Sequence, residues 1–390
     1  MTARHLYVHV PFCGRRCTYC DFSIAVRRTV PVAAYLAALG REVALTGARA
    51  VETLYLGGGT PSRLGGDGIA ALARLLTFEP ALAEFTLEAN PEDVTAESVR
   101  AWVTAGVNRI SLGAQSFDDR VLAWMHRTHD AARIGAAVRT ARAAGIGNLS
   151  LDLIFALPPD LRRDWRRDLE AAIALEPDHV SLYGLTVEHG TPLFRQVDRG
   201  DVAPAEDERY EEEYLLAHER LGAAGYVFYE VSNAARAGRE AVHNRAYWQL
   251  EPYLGLGPAA HSFDGVSRWW NEPTYVRWQE KLEQGRTPMA GHEILNDHQR
   301  RLEQLYLGLR TRRGIALPDP CPAALRQAVD RWVSAGWAVL EVEPMPARAS
   351  VRPCAGASDS GGARAPMAPC ARARLTPLGW LRLDELVASI

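Results

Sequence analysis

Six short, apolar, β-rich runs alternate with longer helical patterns through the first half of the chain, and no other feature narrows the fold as far. The runs are residues 6–10, 53–56, 85–88, 109–112, 149–154 and 180–183, and the helical patterns between them cover 32–45, 69–76, 96–105, 131–144 and 165–175. Pro31 and Thr95 stand where helices start, and Gly106 and Gly145 where they stop. Alternation of this kind builds a parallel sheet with right-handed crossovers. The prediction is an α/β fold, a partial barrel of strand–helix units. With 390 residues, 47% of them hydrophobic, the chain has material for that domain and a smaller second one.

In parallel α/β folds the chemistry gathers where the C-terminal ends of the strands meet the following loops. After the first run come Cys13, Cys17 and Cys20 in the spacing C-x3-C-x2-C. Thiolates suit zinc, copper(I) or iron–sulfur clusters, and three on one loop leave a four-site cluster with one open position. The blander readings are a zinc ribbon or unrelated core thiols. A ribbon needs a second pair of ligands, and the remaining cysteines, Cys321, Cys354 and Cys370, are isolated. After the second run lies Gly57-Gly58-Gly59-Thr60-Pro61, whose bare backbone lets a ligand approach closely. Glu88-Ala89-Asn90-Pro91 follows the third and Gly113-Ala114-Gln115-Ser116-Phe117 the fourth. Asp152 sits inside the apolar run 149–154, where a bare carboxylate is costly without a partner or a polar cavity. Each taken singly is equally a helix cap or a tight turn; their joint placement at strand ends is the argument for a site.

The cysteine spacing, with Tyr7 to Phe12 before it and Asp21 and Phe22 after it, resembles the radical S-adenosylmethionine (SAM) family. Within it the block resembles the branch that holds the oxygen-independent coproporphyrinogen III dehydrogenases and the HemW haem chaperones. The resemblance implies a radical SAM partial (β/α)6 barrel, open on one side, with a [4Fe-4S] cluster on Cys13, Cys17 and Cys20 and SAM on the fourth iron. It implies SAM contacts from Gly58, Gly59 and Thr60 to the methionine part, from Glu88 and Asp152 near the ribose hydroxyls, from Arg127 near the carboxylate, and from Gln115. Tyr7 would lie beside the cluster, and an electron donor would serve it. Ala156 departs from the family, which has Gly there, and a modest backbone adjustment is expected.

Residues 206–224 have helical periodicity with an acidic first turn that suits the helix dipole. This charged face reads as solvated, without chemistry. Beyond it come His243, Asn244, Tyr247 and Trp248, then a glycine-rich stretch ending at His261, and Trp269, Trp270 and Trp278. Flat aromatic side chains beside a histidine can line a site for a flat ligand, and neutral imidazole is a common axial ligand of haem iron; the plain alternative is a hydrogen-bonded loop over aromatic core. The resemblance tips this toward haem: the H-N-x-x-Y-W motif of the chaperones is complete here. It implies a haem site of His243, Asn244, Tyr247 and Trp248, with His261 as a second ligand candidate in a pattern where Ala259 replaces a family Gly.

The domain expectation is 1–205 for the partial barrel, 206–289 for an extension carrying the haem motif, and 290–390 for a small helical, winged-helix-like domain. Residues 344–374, rich in Pro, Ala, Gly, Ser and Arg, read as a disordered insertion, so Cys354 and Cys370 are poor ligand candidates. A net charge of -3 gives no global positive field for nucleic acid or anionic membrane. Lys281 is the lone lysine, which argues against lysine nucleophiles. With no membrane-length apolar run and no leader before the first strand, a cytoplasmic protein is expected. Three functions compete. A haem chaperone would bind haem and pass it to acceptor haemoproteins, including membrane-associated ones. An oxygen-independent coproporphyrinogen III oxidase or dehydrogenase would decarboxylate its substrate using SAM. A zinc-stabilised binding module would do no redox chemistry. Phe22, at the place where the dehydrogenases carry a further cysteine, the complete His243 motif and the short stretch before Tyr7 favour the chaperone.

Overall fold

Strands and helices alternate as the sequence pattern requires. A computed structural model describes residues 3–76, 82–342 and 371–390. It divides into two compact units, Met1–Arg300 and Arg301–Ile390.

The first unit is organised by strands β1 (Ala3–Val10), β2 (Ala50–Gly58), β3 (Glu84–Ala89), β4 (Arg109–Gln115), β5 (Asn148–Phe155) and β6 (His179–Gly184). The crossovers are helices α1 (Val32–Thr46), α2 (Gly65–Leu76), α3 (Ala96–Thr104), α4 (Ala131–Ala143) and α5 (Trp165–Ala174). Thr95 caps α3 in a reciprocal capping box with Ser98. Helix α2 begins four residues before the predicted start, through Gly65, Gly66 and Gly68, which are poor helix formers. Packing decides this: a Cβ on Gly66 would come within 2.5 Å of the Ala101 Cβ on α3, and one on Gly68 within 3.1 Å of Val32 on α1. The glycines let three helices close together.

After β6 come α6 (Asp207–Ala223), β7 (Val227–Glu230), β8 (Asn233–Ala235), α7 (Val242–Trp248), β9 (Tyr253–Leu256), β10 (His261–Phe263), β11 (Ser267–Asn271), α8 (Tyr275–Glu283) and β12 (Met289–Ile294). The described strands form a 12-stranded sheet in the order β12-β11-β10-β9-β1-β2-β3-β4-β5-β6-β8-β7. The run from β9 to β6 is parallel and both ends are antiparallel. The sequence pattern does not announce β9, which pairs with β1 and extends the parallel run on the side expected to be open.

The central strands alternate strictly. Leu6, Val8, Leu54, Leu56, Phe85, Leu87, Ile110, Leu112, Leu149, Leu151, Val180 and Leu182 are all buried and share one phase of the pleat, the face against the helices. The opposite phase carries His5, Tyr7, Thr53, Tyr55, Thr86, Glu88, Arg109, Ser111, Ser150, Asp152, His179 and Ser181. The inner face is thus polar, unlike the aliphatic filling of a closed barrel, and Asp152 belongs to it. Among the described residues no helix is long and apolar enough to cross a membrane.

The second unit holds most of α9 (Asp297–Arg310), α10 (Ala323–Ser334) and an antiparallel sheet of β13 (Ile315–Ala316), β14 (Ala338–Val342) and β15 (Ala371–Leu375), ordered β13-β15-β14. Two short helices, Pro377–Trp380 and Leu383–Ala388, end the chain. One correction follows. Residues 371–374, which composition assigns to the disordered insertion, are strand, because their backbone pairs with β13 and β14. The rest of that segment, with Cys354 and Cys370, lies outside the described residues.

Candidate functional site

The cysteine loop leaves the end of β1 and is pinned from several sides. Phe12–Cys13 pairs with Ala25–Val26, Thr18 donates its hydroxyl to the Trp124 carbonyl at 2.6 Å, and Leu193 N–H donates to the Thr18 carbonyl at 2.8 Å. His9 Nε2 meets the Ser23 carbonyl at 2.9 Å. The thiols of Cys13, Cys17 and Cys20 are free, partly exposed, and line one cavity of about 640 Å³. Thr60 Oγ1 lies 3.5 Å from Cys13 Sγ, and Arg127 Nη1 donates to Cys17 Sγ at 3.6 Å. Burial pushes the Cys13 thiol up and the Cys20 thiol up to about 11. Both are therefore protonated at neutral pH until a metal displaces the proton. Among the described residues no three His, Cys, Asp or Glu side chains converge on a single ion position.

The ends of β2 to β5 supply the opposite wall. Gly58 has φ 109, and a Cβ there would come within 2.6 Å of the His9 ring. At Gly59 a Cβ would meet the Pro11 carbonyl carbon at 2.7 Å. Only glycine lets this turn pass behind the cysteine loop. Glu88 accepts from the Tyr55 hydroxyl at 2.8 Å and from Gly58 N–H at 3.1 Å, and burial raises its carboxyl to about 7. Asp152 accepts from Ser111 Oγ at 3.0 Å and is also raised by burial. Gln115 takes φ 68 at the end of β4. Arg127 Nη2 donates to Asn90 Oδ1 at 2.7 Å and to the Gly113 carbonyl at 3.0 Å, while its buried Nε has no partner.

Cys13, Cys17, Cys20, Gly58, Gly59, Thr60, Glu88, Gln115, Arg127 and Asp152 all line this one cavity. Tyr7 does not: its ring stacks on Tyr55 with centroids 6.0 Å apart, its hydroxyl meets His9 Nδ1 at 3.2 Å, and it lies outside the lining. Sequence reasoning quotes Asn90 only as part of the run after the third strand and passes over Tyr183, both of which line the cavity, and Ser111, which holds Asp152. A signal for two of them exists, since Ser111 and Tyr183 share the pleat phase of Asp152. The charge pattern of α6 reads as merely solvated, and there the structure corrects it. Glu213 on α6 is buried, accepts from Ala156 N–H at 2.7 Å and from Arg163 Nη2 at 2.7 Å. Arg163 also reaches Asp168, which accepts from Ser116 Oγ and Phe117 N–H, each at 2.8 Å. This clamp ties the loop after β4 to the loop after β5. Ala156 itself adopts φ 54, the left-handed conformation suited to glycine, and Ala259 adopts φ 58.

The expected haem residues fall elsewhere. His243 is 0% exposed and sits beside His5 of β1, Thr53 of β2 and Glu84 of β3. Its Nδ1 is hydrogen-bonded to Thr53 Oγ1 and its Nε2 to the Tyr247 hydroxyl, both at 2.7 Å, and burial lowers its pKa to about 3. Both ring nitrogens are thus engaged within the fold. Asn244 and Trp248 are half-buried on the same short helix, and none of the motif lines the cavity. His261 lies apart on β10, exposed, its ring stacked on Trp270.

Residues 7–172 match the Radical SAM superfamily. The chain is similar to the heme chaperone HemW of Mycobacterium tuberculosis, 41% identical over 322 residues, which cover 80% of this chain and 83% of that one. It is also similar to the heme chaperone HemW of Bacillus subtilis, 35% identical over 319 residues, covering 80% and 84%. Among solved structures, coproporphyrinogen III oxidase (HemN) from Escherichia coli, described as a radical SAM enzyme, superposes with a TM-score of 0.76 at 21% identity over 100% of this chain and 89% of that one. At that identity the likeness concerns the fold.

Proposed function

The chain belongs to the radical SAM superfamily and within it to the HemW family, and from that premise we propose that it is a haem chaperone, binding haem and delivering it to acceptor haemoproteins in the cytoplasm or at a membrane. The observation that carries this reading is the identity to heme chaperones across four-fifths of the chain. Phe22, 60% exposed at the cavity, agrees with it, since the dehydrogenase branch is expected to carry a cysteine there.

Cys13, Cys17 and Cys20, three thiols gathered at one cavity, would hold a [4Fe-4S] cluster. When bound with SAM, such a cluster supplies single electrons to the sulfonium, drawn from an external donor. The protein's own part is positional. The glycine turn leaves room at Gly58 and Gly59, Glu88 and Asp152 present acceptors for hydroxyl groups, and Arg127 offers a cation with an unpartnered Nε–H to a carboxylate. Arg127 Nη1 also donates to Cys17 Sγ and so ties the cysteine loop to the opposite wall.

The test is an anaerobic haem titration of the iron- and sulfide-reconstituted protein, followed by mixing with an apo-haemoprotein. Stoichiometric binding followed by transfer is the expected result. No haem binding, together with SAM-dependent release of carbon dioxide from coproporphyrinogen III, would replace the chaperone by the decarboxylase.

A further inference from the structure

Arg127 owes its place in the cavity to two acceptors on Nη2, Asn90 Oδ1 at 2.7 Å and the Gly113 carbonyl at 3.0 Å. The first stands in the loop after β3 and the second near the end of β4, so whatever fixes these two ends against each other also fixes the guanidinium. His129 spans them. Its buried ring meets Glu92 Oε2 at 3.2 Å through Nδ1 and the Ala114 carbonyl at 3.4 Å through Nε2. Glu92 lies two residues beyond Asn90, and Ala114 directly follows Gly113.

Glu92 carries the connection to Asn90 itself. Its Oε1 accepts from Asn90 Nδ2 at 3.3 Å and from the Thr128 hydroxyl. An amide nitrogen only donates and a carboxylate only accepts, so with Nδ2 turned toward Glu92 it is the amide oxygen that faces Arg127. Burial raises the Glu92 carboxyl, but hydrogen bonds from His129 and Thr128 override it and hold the group down to about 2, so this acceptor stays ionised. The backbone beneath is pinned from α4. Arg133 donates from Nε to the Pro91 carbonyl and from Nη2 to the Glu92 and Val94 carbonyls, each at 3.1 Å. Asp130 caps α4 by accepting from Arg133 N–H at 2.8 Å, which sets where His129 leaves the helix.

We propose that His129 and Glu92 are positioning residues that set the angle of the Arg127 guanidinium through Asn90 and the 113–114 backbone, and with it the preference of the cavity for a sulfonium ligand that carries a carboxylate. Preorganisation of this kind needs a supporting shell around the contacting group. The proposal deepens the SAM reading of the cavity and rests on Arg127 meeting the SAM carboxylate.

The test is an anaerobic titration of the reconstituted full chain with SAM and with decarboxylated SAM, which keeps the adenosine, sulfonium and amine and lacks only the carboxylate. The unmodified protein should bind SAM more tightly. His129→Gln and Glu92→Gln should each weaken SAM about 10-fold, the worth of one charge-assisted hydrogen bond, and leave decarboxylated SAM unchanged. Arg127→Leu should abolish the same preference, and adding Glu92→Gln to it should cost nothing further. Equal losses for both ligands would mean general damage or a contact to another part of SAM, and would overturn the positioning role. Unchanged SAM affinity in Glu92→Gln, the milder change at a partly exposed side chain, would overturn it too. Equal affinity of the unmodified protein for the two ligands would remove Arg127 as the carboxylate contact and the proposal with it, while the haem-chaperone reading stands. Absence of SAM binding would overturn the SAM reading of the cavity itself.

Discussion

Replacing Arg163 with Leu removes a buried cation that ties the loop after β4 to the loop after β5. The guanidinium is 0% exposed, 2.7 Å from Glu213 Oε2, 3.5 Å from Asp168 Oδ2, and 4.5 Å from the centroid of the Trp165 ring. Removing one partner of a buried ion pair costs about 3–5 kcal/mol, because the other charge stays buried and unpaired. Glu213 keeps Arg209 Nε at 3.0 Å and the Ala156 N–H, so the lower end applies, about 3 kcal/mol. For a unit that spans Met1–Arg300, at about 2.1 cal/mol/K per residue, that lowers the melting midpoint by roughly 5 °C. The loss carries a pH signature. Burial already raises the folded-state pKa of Asp168 above its ordinary value, and loss of Arg163 raises it further. A carboxyl raised in the folded state destabilises above that pKa and is relieved as pH falls and it protonates. The deficit of the variant is therefore expected to be full near neutral pH and to shrink on acidification toward the ordinary carboxylate range. Thermal melts of both proteins across that range, with SAM affinity measured in parallel, make the test. A deficit under about 1 kcal/mol, or one that does not change with pH, would refute the clamp.

Four further outcomes are expected. Cys17→Ala should lose the iron, sulfide and brown colour of the reconstituted protein yet retain haem binding; loss of both with the fold intact would show that the two sites are one. Glu88, with its carboxyl at about 7 through burial, is half protonated near neutrality, so SAM affinity should rise from pH 6 to 8 as it ionises and accepts from a hydroxyl; calorimetry should find that slope flattened in Glu88→Gln, and a flat profile in the unmodified protein would contradict the assignment. His243, lowered to about 3, takes up a proton only in the unfolded chain below its ordinary pKa, so stability is full above about 6.5 and falls with acidification, by about 2 kcal/mol at pH 5; His243→Gln should be less stable at pH 7 and less acid-sensitive in urea melts, and parallel profiles would count against it. Ala156→Gly relieves a left-handed alanine and should stabilise by about 0.5–1 kcal/mol, the conformational relief less the added freedom of the unfolded chain; a lower melting midpoint in the glycine variant would contradict this.

The cysteine loop, the glycine turn and the strand-end carboxylates are legible in the amino-acid sequence because each is local. Their chemistry sits within a few residues, and alternating strands and helices leave one end of the sheet where all can meet. Ser111 and Tyr183 are readable in principle from the pleat phase they share with Asp152. Arg163 and Glu213 are not, because the residues they join are far apart in sequence and nothing near either announces a partner.

The sequence by itself determined the parallel sheet, its helical face and the gathering of Cys13, Glu88 and Asp152 at the strand ends, since period and handedness leave little freedom there. Only the tertiary structure decided what the His243 ring meets, because Thr53, 190 residues away in sequence, closes on one ring nitrogen and Tyr247 on the other. His261, exposed on β10, meets the Trp270 ring through a strand pairing that no local pattern announces.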